Sequence, residues 1–190
     1  IINNPETGET KKVNKGESVF FRKDTWHHAF NYSDEYLQVL EYFSPPPLTG
    51  TSGLYAKEKK LLENSIYKRK NYDSLDNFKN QNTFKIIKKD DLEWSLEGSQ
   101  QEILIGTFIN TKFLKVHLIK LLPNQKTHNF KFSKDTSYLS LNNNIKANII
   151  EKNKEFILNE KDGMYLPDNT SFTIENMNDY ESNIIFCEGF

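Results

Sequence analysis

Gly16-Glu17-Ser18-Val19-Phe20-Phe21-Arg22-Lys23-Asp24-Thr25-Trp26-His27-His28-Ala29-Phe30-Asn31 is the stretch from which the fold can be read. Residues 17–22 combine β-branched and aromatic side chains and read as a strand. Arg22-Lys23-Asp24 makes a polar turn, and a second strand is expected over Tyr36–Phe43. Between the two, His27 follows the turn after two residues, and Asn31 follows His27 after three more. Successive residues of a strand face opposite ways, so His27 and His28 point to different sides.

That spacing resembles the second of two short signatures carried by cupins, G-x5-P-x-G-x2-H-x3-N. Here Arg22 and Asp24 stand where the family has its Pro and second Gly. Asp tolerates the turn conformation that such a Gly adopts, so the exchange is mild. The resemblance implies a double-stranded β-helix in which His27 is a metal ligand and Asn31 ties down the adjoining turn. The partner signature, G-x5-H-x-H-x3,4-E-x6-G, supplies two more His and a Glu in the family, and it would lie upstream of this segment. The other ligands would then come from an N-terminal portion or from another subunit. Glu41 and Tyr42, on the strand after the His, are candidate groups facing the substrate or supporting the ligand from behind. Both faces of 36–43 are apolar enough to leave that orientation open.

Working outward, the same signature recurs near the C-terminus. In Pro167-Asp168-Asn169-Thr170-Ser171-Phe172-Thr173-Ile174-Glu175-Asn176 the Pro and final Asn are kept, Asn169 replaces Gly, and Phe172 occupies the metal-His position. Upstream, Leu122–Phe132 resembles the first signature. With Asn124 at its Gly, the two His positions are Phe130 and Phe132, the Glu falls at Thr136 or Ser137, and Asn143 or Asn144 replaces the last Gly. A register displaced by two residues recovers His128 and Asp135, but leaves Phe130 and Phe172 at ligand positions. Neither register assembles three His and a carboxylate, so this unit is expected to have filled its metal pocket with apolar volume.

The expected architecture is all-β: cupin jelly-roll barrels with a short linker helix. Residues 1–50 form the C-terminal half of a first cupin unit, 51–82 a linker, and 83–190 a second, degenerate barrel. Pro45-Pro46-Pro47 ends the first β segment, because three missing N–H donors stop any ladder. Tyr55–Lys68 carries Leu61, Leu62, Ile66 and Tyr67 among helix formers and predicts the one helix. Beyond it the spacing predicts strands near 83–88, 102–108, 112–121, 128–132, 136–141, 145–151, 155–158, 163–167, 171–175 and 182–187.

Composition narrows the function classes. The 190 residues carry a net charge of −1 with pI near 6.5, which offers nucleic acid or an anionic membrane no basic surface. Mean hydropathy is −0.71, but an aromatic content of 13% argues for a packed fold rather than a disordered one. Cys187 is the single cysteine, so no internal disulfide or thiolate cluster can form, and its apolar neighbours read as core. No apolar run reaches the roughly 20 residues of a membrane span. The chain starts at Ile1 without Met, so the absence of a leader weighs little; a cytoplasmic location is the expectation. Phosphate loops, dinucleotide fingerprints, nucleophile elbows and zincin motifs are absent.

The resemblance therefore implies a bicupin. Its first unit would use a divalent metal (Fe, Mn, Ni or Zn) to act on a small organic molecule as a dioxygenase, isomerase or lyase. Its second unit would hold no metal. The alternative is a non-catalytic cupin, either a small-molecule binder or a structural, dimerising module. A homodimer is the expected assembly, since a half-barrel leaves an open edge.

Overall fold

The computed structural model describes residues 1–22, 25–43, 64–67 and 84–189. The chain divides into two compact units, Ile1–Asp91 and Leu92–Phe190. The division falls beyond the linker expected at 51–82.

In the first unit β1 (Ile2–Asn3), β2 (Thr10–Lys11) and β4 (His28–Ala29) form a small sheet in the order β2-β1-β4. The strand expected at 17–22 is β3 (Ser18–Phe21), and it pairs antiparallel with β5 (Phe84–Ile87). Residues 84–87 therefore complete the first unit rather than opening the second barrel as expected. An apolar strand such as Ser-Val-Phe-Phe needs its N–H and C=O groups paired, and β5 meets that need while burying Phe84. The strand expected at 36–43 is absent: that stretch forms no ladder and is largely exposed. Most of the expected helix lies outside the described residues, and its last part, 64–67, is not helical.

The second unit holds β6 (Glu93–Glu97), β7 (Ile103–Asn110), β8 (Lys115–Leu121), β9 (Phe130–Lys131), β10 (Thr136–Ser140), β11 (Ile145–Ile149), β12 (Lys154–Leu158), β13 (Gly163–Leu166), β14 (Ser171–Asn176) and β15 (Ser182–Glu188). One sheet runs β13-β10-β15-β8-β7-β6 and the other β12-β11-β14-β9. Counted from β8, the two sheets interleave as strands 6-3-8-1 and 5-4-7-2. That order defines a jelly roll, to which β7 and β6 add at one edge. β10 and β11 alternate strictly between buried and half-buried residues, so each puts one face into the space between the sheets. β6 escapes sequence reading because every residue in it is exposed; it is an edge strand that, among the described residues, pairs with β7 alone. β8 starts at Lys115 rather than at 112 because the Thr111 hydroxyl captures the N–H groups of Phe113 and Leu114 and turns the chain first.

Turn chemistry fixes the connections. Asn124 (φ 55°) and Asn169 (φ 57°) occupy the two positions where the signatures have Gly, and both are left-handed. Asn176, fully buried, knots the corner after β14. Its Nδ2 donates to the carbonyls of Leu122 (2.9 Å) and Tyr180 (2.7 Å), and its Oδ1 accepts from the Asn178 N–H (3.0 Å) and the Ser182 hydroxyl (2.8 Å).

The two units share a geometry that composition hides. Each pairing of the first small sheet maps onto the second unit when the same 145 is added to both residue numbers. Ile2 opposite Lys11 and Ala29 becomes Ala147 opposite Phe156 and Ile174, and Asn3 opposite Thr10 and His28 becomes Asn148 opposite Glu155 and Thr173. β3 falls on β13 residue for residue. The turns obey the same shift. Positive φ recurs at Gly8 and Asn153, and at Gly16 and Lys161. The Asn14 N–H bonds the Glu17 carboxylate as the Asn159 N–H bonds that of Asp162, both at 2.8 Å. Asn31 accepts from the Ser33 N–H and donates to the Glu35 carbonyl, as Asn176 does two and four residues on.

Because Asn176 serves several buried groups at once, Asn176→Ala should cost about 3 kcal/mol, each orphaned buried polar group contributing about 1–3. Asn31→Ala, at an exposed turn, should cost under about 1 kcal/mol. Urea denaturation of both variants measures the difference.

Candidate functional site

The inner face of the six-stranded sheet of the second unit carries one cross-strand row, Glu93–Thr107–His117–Phe186–Tyr138, with each residue opposite the next. The neighbouring row is Ser95–Ile105–Ile119–Ile184–Ser140, apolar at its centre. His117 thus stands where the greasy wall gives way to polar groups. Alternation along β8 could have singled it out, since it shares a face with Ile119 and Leu121; the sequence reading passed over it.

Facing that row, β9, β14 and the residues beside them contribute Phe130, Phe132 and Phe172. The structure brings all three together. Phe130 lies 5.7 Å from Phe132 and 5.6 Å from Phe172, and Phe132 lies 6.2 Å from Phe172, between ring centroids. Tyr138 meets Phe172 edge-on at 5.2 Å, and Phe186 stacks on Tyr138 at 5.7 Å. Sequence reading had placed the lost carboxylate at Thr136 or Ser137. Thr136 is buried, but it is Tyr138, two residues on and on the same face, whose ring joins the cluster. Burial raises the Tyr138 pKa, so its hydroxyl stays protonated.

A cavity of about 380 Å³ remains at the mouth of this interior. Its floor is Phe130, Phe132 and Phe186; its walls include Thr107, His117, His128, Glu97 and Glu188. The Thr107 hydroxyl lies 3.1 Å from His117 Nδ1, and Phe186 stacks on the imidazole at 4.8 Å. Burial lowers the His117 pKa, outweighing the attraction of Glu188. His128 packs edge-on against Phe130 at 4.5 Å, with Nδ1 buried and 3.7 Å from a Glu102 carboxylate oxygen. Asp135, the carboxylate of the displaced register, is exposed and accepts from the Tyr165 hydroxyl (2.5 Å) and the Asp168 N–H (2.9 Å). Those bonds hold its pKa below the ordinary carboxylate value. Cys187 is buried, and burial pushes its thiol up to about 11, which disfavours the thiolate.

A cupin-type metal does not fit this interior. Rings occupy Phe130, Phe132 and Phe172, and among the described residues no group of three or more His, Cys, Asp or Glu could hold an ion.

In the first unit His27 is exposed, stacks on Phe21 at 3.9 Å, and has Nδ1 3.2 Å from the Thr25 carbonyl. His28 is the more covered of the two, lying between Phe30 and Tyr67. Asn31 closes the turn 31–35. Glu41 is exposed and Tyr42 half-buried.

The second unit is thus a jelly roll of the double-stranded β-helix class that cupins share. No family model and no curated protein matches the chain. Among solved structures it is similar to a cupin domain from Bordetella pertussis (16% identity, 46% of this chain and 93% of that chain, TM-score 0.42). It is also similar to an RmlC-like cupin from Shewanella frigidimarina (9%, 53% and 86%, 0.45) and to a polyketide cyclase from Streptomyces resistomycificus (8%, 54% and 77%, 0.48). The fold assignment rests on the strand order and register above. Among the described residues no helix is long and apolar enough to cross a membrane.

Phe172→Ala should cost about 3–5 kcal/mol, because the surrounding rings collapse only partly into the space it leaves. Differential scanning calorimetry, with Phe172→Leu as the milder control, checks it. His117 makes stability depend on pH. The unfolded imidazole takes up a proton near its ordinary value of 6.5, whereas the folded one resists it. Stability should therefore fall as pH drops below about 6.5, where the unfolded state binds more protons. His117→Gln should flatten that part of the profile in urea midpoints measured from pH 8 to pH 5.

Proposed function

We propose that the second unit is a non-catalytic jelly roll that binds a small organic molecule at its mouth. The observation that carries this reading is the aromatic interior, which leaves a cavity walled by polar side chains. A volume of about 380 Å³ suits a metabolite-sized guest. The ring floor would receive an apolar face, and Thr107, His117, His128, Glu97 and Glu188 would sort guests by their hydrogen-bonding groups. A guest that binds only the folded state raises the melting temperature, by an amount that grows with its concentration. Screening a metabolite collection by thermal shift, with metal chelated throughout, should yield hits whose effect disappears in His117→Leu. Hits unchanged in that variant, or none at all, would count against the mouth as a binding site.

A metal-dependent first unit is the second reading, and one observation favours it. His27 Nδ1 faces a backbone carbonyl, which leaves Nε2 directed away, the arrangement that ligating imidazoles use. The described residues of that unit supply no complete ligand set, so further ligands would have to join His27. Plasma mass spectrometry of the purified chain and of His27→Ala is the check. Near-stoichiometric iron, manganese, nickel or zinc lost in the variant would support a ligand role, and a metal-free parent would remove it.

A further inference from the structure

The mouth of the second unit has a charge as well as a shape, and strand register sets both. Glu97 lies two residues beyond Ser95 on β6, so the two share a face, the one that Ser95 turns to Ile105. Glu188 lies two residues beyond Phe186 on β15 and continues the inner face, opposite Lys115 and Thr136. Both carboxylates line the cavity floored by Phe130, Phe132 and Phe186. They flank β8 and its His117, Glu188 from the neighbouring β15 and Glu97 from β6 beyond β7.

Few cations answer these two charges. Lys115 Nζ stands 3.5 Å from Glu188 Oε2. Lys131 borders the cavity, but it alternates with Phe130 and Phe132, so its exposed side chain turns away from the floor. His128 lies 3.7 Å from a Glu102 oxygen, and that pair adds no net positive charge. Burial lowers the His117 pKa, which keeps the imidazole uncharged at neutral pH. Among the described residues no cation pairs with Glu97, whose Oε1 instead accepts from the Ser95 hydroxyl at 3.4 Å. The wall therefore holds one carboxylate more than its cations balance.

We infer that the guest of this mouth is an organic amine carried on a ring or a branched apolar body. The inference rests on the mouth being a binding site and adds the sign of the charge that the site selects. The ammonium sits at the rim between Glu97 and Glu188 and donates to carboxylate oxygens, while the body lies on the ring floor. Aromatic faces attract a cation, so the floor favours the same charge as the wall. The Thr107 hydroxyl and His117 Nδ1 already pair at 3.1 Å, which leaves the two carboxylates as the strongest acceptors there. An acid of the same shape meets like charges over a partly enclosed apolar floor, where water screens them less than in bulk. A neutral alcohol finds the same acceptors but lacks the charge assistance.

Phenethylamine, phenethyl alcohol and hydrocinnamate share one ring and differ in the charge of the head group, and they serve as probes. Each is titrated into the full chain by isothermal calorimetry. The amine should bind about fivefold or more tighter than the alcohol, and the acid weakest of the three. Glu97→Gln, of equal shape at an exposed position, should remove about half or more of the amine's advantage, and added salt should shrink it too. An alcohol or acid that binds as well as the amine overturns the inference. An advantage unchanged in Glu97→Gln does the same, as does no binding by any of the three. His117→Leu tells this failure from failure of the site. Where the probes bind alike and all lose affinity in His117→Leu, the mouth stands and only its charge preference falls. Binding indifferent to both substitutions removes the mouth as well.

Discussion

The second unit depends on five rings meeting between two sheets. Phe130, Phe132 and Phe172 come from one side, Tyr138 and Phe186 from the other, and no ring belongs to the same strand as its counterpart across the gap. No disulfide links the two sheets, since Cys187 is the single cysteine of the chain. Attraction between them must come from apolar burial and from edge-to-face and offset contacts of the rings. The pleat gives each strand one inward residue in two, so a cluster of this size requires every contributing strand to be in register. The polar corner at Asn176 supports that requirement. It holds the end of β14 to the start of β9's approach and the start of β15, three elements that each deliver a ring.

Turns and strands contribute differently to the shared geometry of the two units. Over 1–35 and 146–180 the aligned identities are Asn3 with Asn148, Glu6 with Glu151, Asn14 with Asn159, Thr25 with Thr170, Asn31 with Asn176 and Asp34 with Asp179. Most of them lie at turns, where a side chain must reach a named backbone group. The strand residues differ freely, because a pleated face asks only for an apolar side chain of suitable volume. Asn14 and Asn159 begin equivalent turns although Glu17 answers one and Asp162 the other. Geometry is held by a few polar contacts, and chemistry changes around them.

This division explains what could be read from the residues. Strands β7 to β15 of the second unit and their order of appearance were legible, because alternation and turn residues mark them, whereas β6 was not. Signature spacing singled out Phe130, Phe132 and Phe172, and their rings lie together. The short β1, β2 and β4 were not legible: two residues have no periodicity, and only their pairing reveals them. β5 was assigned to the wrong unit because Phe-Lys-Ile-Ile shows a strand but carries no mark of its partner. Inward and outward faces of 36–43 were indistinguishable, since Leu37, Val39 and Phe43 are no more apolar than Tyr36 and Leu40. The cavity wall was missed for a similar reason. Thr107, His117 and Glu188 are distant in sequence, and register alone brings them together.

The contrast between the two units lies in what their equivalent strands would present to an interior. Phe172 and Phe186 fill the second with rings, whereas the matching positions of the first hold His27 and Glu41, an imidazole and a carboxylate. Hydrophobic packing rewards the aromatic choice directly, with each large ring worth about 1.5–3 kcal/mol on burial. The polar choice has no such reward, and a buried carboxylate without a donor would destabilise the fold outright. In the first unit both groups instead stay exposed to solvent, where neither incurs that cost. The stretch 36–43 adds no packing of its own to that unit either: Val39 and Leu37 remain exposed to solvent.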